Sequence, residues 1–173
     1  MDLRYPVGPF KFEGPLNEDQ RKKFIGEIEE TPTRLRDAAK GLSDEQLSTP
    51  YRPEGWTVRQ VVHHVPDSHL NAYIRFKLAL TENQPTIKPY EQALWAELYD
   101  TKNTPVEISL TLLEMLHKRW VTLLKSMSES DFKRTFNHPE QGLVTLERTL
   151  SLYAWHGKHH VAHITSLRER MGW

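Results

Sequence analysis

Cysteine is absent from the 173 residues. That excludes disulfides, thiolate zinc sites, iron–sulfur clusters and a cysteine nucleophile in one step. Any metal must be held through nitrogen and oxygen, and any sulfur chemistry must use a thiol that arrives on a small molecule. A charge excess is absent too, with 23 Lys+Arg against 23 Asp+Glu. Nucleic-acid binders normally show a basic excess or patch, and polybasic membrane anchors do the same. No nucleic acid and no membrane is therefore expected as a partner. No stretch approaches the roughly 18 unbroken apolar residues of a spanning helix. Met1-Asp2-Leu3-Arg4-Tyr5-Pro6 lacks the basic segment and apolar run of a signal peptide. The expectation is a soluble, cytoplasmic protein, folded as one domain over residues 1–173.

Strand signals are also scarce, and what remains is helical. Residues 1–17 are rich in Pro and Gly and read as an extended arm. From Glu18, apolar residues recur at three- and four-residue steps (Phe24, Ile25, Ile28, Leu35, Ala38) as far as Gly41, with Pro32 set to kink or split the run. Ser43 with Gln46 reads as a capping box. Thr57 caps a second long helix to Thr81. A short helix is expected over Tyr90 to Tyr99. Thr104-Pro105 reads as an N-cap followed by proline at the first helical position. The third long helix then runs to Met127, with Ile108, Leu112, Met115, Leu116, Leu123 and Leu124 as its apolar stripe. Ser128 and Asp131 suggest a further short turn, and residues 134–144 a small hairpin. Thr145 caps a last helix from Leu146 to Arg170, stopped by Gly172. Four long helices with little strand signal predict an all-α four-helix bundle with short extra helices in its connections. Strict up-down-up-down order is not implied, because the connections are long.

Nine histidines stand out. Four lie in Trp155-His156-Gly157-Lys158-His159-His160-Val161-Ala162-His163. At about 100° per residue they share one helical stripe about 100° wide. His156 and His160 are an i, i+4 pair, a spacing that lets two imidazoles reach one ion. His159 and His163 form a second such pair. A bundle site needs a ligand from another helix, and His63-His64 on the second long helix offers one. His63 sits among apolar residues, with Leu70 and Ile74 on its side. His64 heads a polar stripe with Asp67, Ser68, Asn71 and Arg75. His64, His156 and His160 therefore form a three-nitrogen set that leaves positions for water or substrate, the pattern of a catalytic zinc site. Desolvating so many imidazoles without partners is costly, which argues against packing as the reason for them. His69 reads as a core residue, His117 as surface, and His138 as part of a loop. The five tryptophans read as packing anchors, with Trp155 also able to line the pocket.

Gly55-Trp56-Thr57-Val58-Arg59-Gln60-Val61-Val62-His63-His64, then Asp67-Ser68-His69, and the late Trp155-His156-x-x-x-His160 resemble the DinB/YfiT-like family. The opening Tyr5-Pro6-Val7-Gly8 and closing Arg170-Met171-Gly172-Trp173 resemble its YfiT-type branch. The resemblance spans essentially the whole chain. It implies a four-helix bundle, usually a homodimer, with a divalent metal on His64, His156 and His160. Two activities are implied: metal-dependent hydrolase, and thiol S-transferase with bacillithiol as donor. Pro66 departs from the expected pattern and predicts a bend beside His64.

The resulting expectation is an enzyme in which Zn²⁺, or Ni²⁺ as the alternative, activates a low-molecular-weight thiol or water against a small-molecule substrate. Thiol transfer ranks slightly ahead of hydrolysis. A non-catalytic metal-binding stress-response bundle is the rival. The sequence names no catalytic base beyond Asp67, a weak candidate one turn from His64. His159, His163 or Glu147 are candidates to accept the second N–H of a ligand imidazole.

Overall fold

The structure is a computed structural model that describes residues 2–173. Four long helices carry it: α1 (Glu18–Ala39), α3 (Val58–Thr81), α6 (Val106–Ser126) and α8 (Leu146–Met171). Short helices fill the connections: α2 (Asp44–Leu47), α4 (Gln92–Trp95), α5 (Tyr99–Asn103) and α7 (Glu129–Phe132). An antiparallel hairpin of β1 (Thr135–His138) and β2 (Gly142–Thr145) precedes α8, with Phe136 paired to Val144. Gly142 takes a φ of 72° there, which a glycine tolerates without strain.

The helix starts follow their local chemistry. Asn17, Ser43, Thr57 and Ser128 each close a capping box with the residue three positions on. Thr145 accepts from the Arg148 amide. Both interior prolines are absorbed: α1 runs unbroken through Pro32 and α3 through Pro66.

α1 packs against α8 and α6, and α3 against α6 and α8. The helix pairs that follow one another along the chain, α1 with α3 and α6 with α8, thus face each other across the bundle. One apolar cluster joins the C-terminal parts of α1 and α8 (Leu35, Ile164, Leu167) to the N-terminal parts of α3 and α6 (Val58, Val61, Leu110). α3 and α6 therefore run in one direction and α1 and α8 in the other, not up-down-up-down. A second cluster, around Phe76, Trp120, Leu150 and Phe136, fills the other end. Buried histidines lie between the two.

Four expectations need correction. Of the expected Tyr90–Tyr99 helix only Gln92–Trp95 forms, because the chain turns after Trp95, and a second short helix begins at Tyr99. The N-cap of α6 is Pro105 rather than Thr104: Pro105 keeps a non-helical ψ of 133°, and Thr104 is the C-cap of α5. Ile108, Leu112 and Met115 are exposed. Leu116 and Leu124 of the expected stripe are buried, and Leu110, Leu113, His117, Trp120 and Val121, which that reading did not single out, complete the buried apolar face of α6. Trp95 is also exposed, and only Trp120 is fully buried among the tryptophans.

Candidate metal centre

α3 contributes His64, and α8 contributes His156 and His160 from successive turns. One ligand atom from each lies within 4.8 Å of the others. Nε2 of His64 is 3.3 Å from Nε2 of His156. Two nitrogens bound to one tetrahedral zinc, each at about 2.0–2.1 Å, stand about 3.3 Å apart. The spacing and the all-nitrogen donor set therefore fit a divalent transition metal. Burial lowers the pKa of all three rings, and that of His64 falls to about 3. The facing imidazoles add to the effect. All three are neutral near pH 7, each with a free lone pair, as ligation requires.

α8 can come this close to α1 because position 157 is glycine. A Cβ there would stand 2.4 Å from Thr31 Oγ1. The α3 side is held by Trp56, whose ring centroid lies 4.7 Å from that of His64. The three imidazoles open into a cavity of about 380 Å³, also lined by Arg4, Tyr51, Arg52, Trp155 and His159. His159 stacks on Trp155, and its buried Nδ1 has no partner. Among the residues lining the cavity, Glu54 is the only carboxylate, and it is exposed.

The rings behind the ligands differ partly from expectation. His163 does engage a candidate ligand: its Nδ1 is 3.3 Å from His160 Nδ1, and its Nε2 is 3.1 Å from the Arg4 carbonyl. Glu147 is occupied elsewhere, accepting the Leu16 amide. His117, expected at the surface, is 2% exposed. It can be buried because both of its nitrogens have partners. Nδ1 lies 2.7 Å from the Ile28 carbonyl and Nε2 lies 2.8 Å from His69 Nδ1. His69 Nε2 in turn lies 3.1 Å from His156 Nδ1. His69 was legible as buried, but its contact with the candidate ligand His156 was not. The i, i+5 spacing of His64 and His69 puts them on different faces of a helix viewed alone.

The remaining candidates lie outside the group. His63 is buried by bonds to Ser109 Oγ and the Thr104 carbonyl. His138 ends β1 rather than sitting in a loop, and its Nδ1 accepts the Glu140 amide. Asp67 does not line the cavity. Burial pushes its pKa up to about 6, with Asp100 adding to the rise.

Comparison with known proteins places these features. A protein of Bacillus mycoides (strain KBAB4) named "Putative metal-dependent hydrolase" is 59% identical over 172 residues, covering 99% of both chains. A Bacillus cereus (strain 03BB102) protein of the same name matches equally well. A solved structure of YfiT from Bacillus subtilis superimposes with a TM-score of 0.97 at 50% identity, covering 100% of this chain and 99% of that one. It is described as "a probable metal-dependent hydrolase with an unusual four-helix bundle topology". The model of the DinB superfamily matches residues 27–164. With its four-helix bundle, its histidine layer and these relatives, the chain belongs to the DinB superfamily and, within it, to the YfiT-like proteins.

Proposed function

We propose that His64, His156 and His160 hold one divalent ion, Zn²⁺ in first place and Ni²⁺ as the alternative, and that the protein uses it to transfer a low-molecular-weight thiol to an electrophilic small molecule. The observation that carries this reading is the convergence of three neutral imidazoles on an open cavity with no buried carboxylate in its lining. A bound ion supplies Lewis acidity, lowering the pKa of a coordinated thiol or water so that a nucleophile exists near neutral pH. Thiol transfer then needs no protein base. The thiol gives up its proton to solvent through the open mouth, the sulfur lone pair forms the new carbon–sulfur bond, and the leaving group departs with the bonding pair.

The chain's own residues position and shield the reactants. Trp56 and Trp155 wall the cavity with apolar surface, while Arg4 and Arg52 place positive charge at its edge. Neutral His159 offers a hydrogen-bonding ring beside the ligands. The absence of cysteine means that the sulfur must come on a cosubstrate.

The names of the relatives favour a second reading, hydrolysis, in which water takes the thiol's place. One experiment separates the two. L-Cysteine and bacillithiol are titrated into protein carrying Co²⁺, and a sulfur-to-metal charge-transfer band in the near ultraviolet is expected. An unchanged spectrum, with turnover of p-nitrophenyl esters, would replace transfer by hydrolysis.

We also infer a homodimer. Leu70 and Ile74 on α3, and Ile108, Leu112 and Met115 on α6, are large apolar side chains left exposed on adjacent helices. Leu112→Glu is expected to halve the mass in solution while leaving metal content unchanged.

A further inference from the structure

Beyond the three ligands lies a line of rings that no ligand role explains: His156, His69, His117 and the Ile28 carbonyl, joined by contacts of 3.1, 2.8 and 2.7 Å. A neutral imidazole has one N–H and one lone pair. The line therefore has a direction, and its far end sets it. A carbonyl oxygen only accepts, so His117 Nδ1–H donates to Ile28. His117 Nε2 is then a lone pair and accepts from His69 Nδ1–H. His69 Nε2 is a lone pair in its turn and accepts from His156 Nδ1–H. The remaining nitrogen of His156, Nε2, is left as the lone pair facing His64.

We propose that His69 and His117 are positioning residues that fix the tautomer of His156, holding its Nε2 lone pair toward the metal centre. The inference rests on the three-imidazole reading of the site. Burial keeps His69 and His117 neutral by lowering their pKa values, that of His117 to about 4.

The Ile28 carbonyl is available because of a proline. In an α-helix that carbonyl would accept the amide of residue 32. Residue 32 is Pro32, which has no N–H and whose ring crowds the same carbonyl. Inside an unbroken α1, Pro32 thus leaves one acceptor free, and His117 takes it. An outer partner that holds a ligand imidazole in one tautomer raises metal affinity, and removing such partners typically costs about 10–100-fold.

The test reads the tautomer directly, by ¹H–¹⁵N long-range correlation on metal-free protein labelled with ¹⁵N-histidine, alongside Zn²⁺ affinity. Wild type should show His156 with its proton on Nδ1. His117→Leu frees His69 to place its proton on Nε2 and donate to His156, which should shift His156 to the Nε2–H form and lower Zn²⁺ affinity about 10–100-fold. His69→Gln keeps an acceptor for His156 Nδ1–H and should retain both the tautomer and most of the affinity. A purely structural role would alter stability without moving the tautomer. A wild-type His156 protonated on Nε2 overturns the proposal. So does an unmoved tautomer in folded His117→Leu. If His117→Leu does not fold, the wild-type spectrum decides. Absence of Zn²⁺ binding by wild type would instead defeat the metal reading, while the tautomer would still be read.

Discussion

The two candidate ligands on α8 are braced differently. His156 leans on two further imidazoles inside the bundle, and its brace ends on a carbonyl in the middle of α1. His160 leans on one, His163, whose brace ends at Arg4 in the coiled segment before α1. By the same donor logic the Arg4 carbonyl accepts from His163 Nε2, His163 Nδ1 accepts from His160, and His160 too presents its Nε2 lone pair. One polarity is thus reached by two routes, one locked between packed helices and one held by a surface segment. Moving His156 means repacking the core, whereas moving His160 means lifting the arm. The candidate metal centre is thus braced from the core on one side and from the arm on the other.

The largest effect should erase this contrast. His156→Ala and His160→Ala each remove a ligand, so both should lower Zn²⁺ affinity by more than the roughly 100-fold that loss of an outer partner costs. Metal content after gel filtration in dilute chelator measures this. A His160→Ala protein that keeps stoichiometric zinc would mean that only the braced-in-core side binds.

The next effect belongs to the core brace. Burial holds the pKa of His117 at about 4, against 6.5 for the unperturbed group. Between those values the unfolded chain binds a proton that the native chain does not. The contribution of His117 to stability should therefore fall as pH drops from 6.5 toward 4 and level off below. His117 alone contributes about 1.4 kcal/mol per pH unit, roughly 3 kcal/mol in all. Urea unfolding of metal-free protein at pH 7 and pH 5 tests it, and His117→Leu should show a shallower dependence. Equal pH slopes in wild type and variant would contradict a buried, neutral His117.

The core side was also the harder one to read from sequence. The bundle was legible because amphipathic periods and caps are local: Thr57 and Thr145 as helix caps, and the run Phe24, Ile25, Ile28, Leu35 and Ala38 in α1. His156 and His160 were legible for the same reason, as neighbours on successive turns of one helix. The polar stripe headed by His64 on α3 then supplied the third imidazole, the one the family resemblance also implies. His117 was misread because a polar residue on a helix looks solvated until its partners are known, and those partners are 48 and 89 positions away. Pro32 was seen only as a threat to α1, since nothing local says that a freed carbonyl will be used.

The arm side should respond more mildly. Deleting residues 2–9 removes the Arg4 carbonyl and the bond from Trp155 Nε1 to the Gly8 carbonyl. The helices lose no capping residue, since Asn17 remains. Helical circular dichroism should be unchanged, while Zn²⁺ affinity falls about tenfold through faster release. An unchanged release rate would show that the arm does not hold His163.

The smallest effect tests the anchor of the core brace. Pro32→Ala restores an N–H at the position where α1 lacks one, and alanine is favoured over proline in a helix interior by about 3 kcal/mol in peptide hosts. α1 already accommodates Pro32 without a break, so only part of that gain is expected as added stability, measured by thermal unfolding of metal-free protein. The new amide competes for the Ile28 carbonyl, which has two lone pairs and does not have to release His117. Zn²⁺ affinity should accordingly fall only a few-fold, far less than in His117→Leu, where the acceptor of His69 is gone altogether. The diagnostic is the pair of opposite signs: a fold made more stable and a metal bound less tightly. If both rise together, the proline serves no purpose in the brace, and the free carbonyl at Ile28 is incidental to how His156 is held.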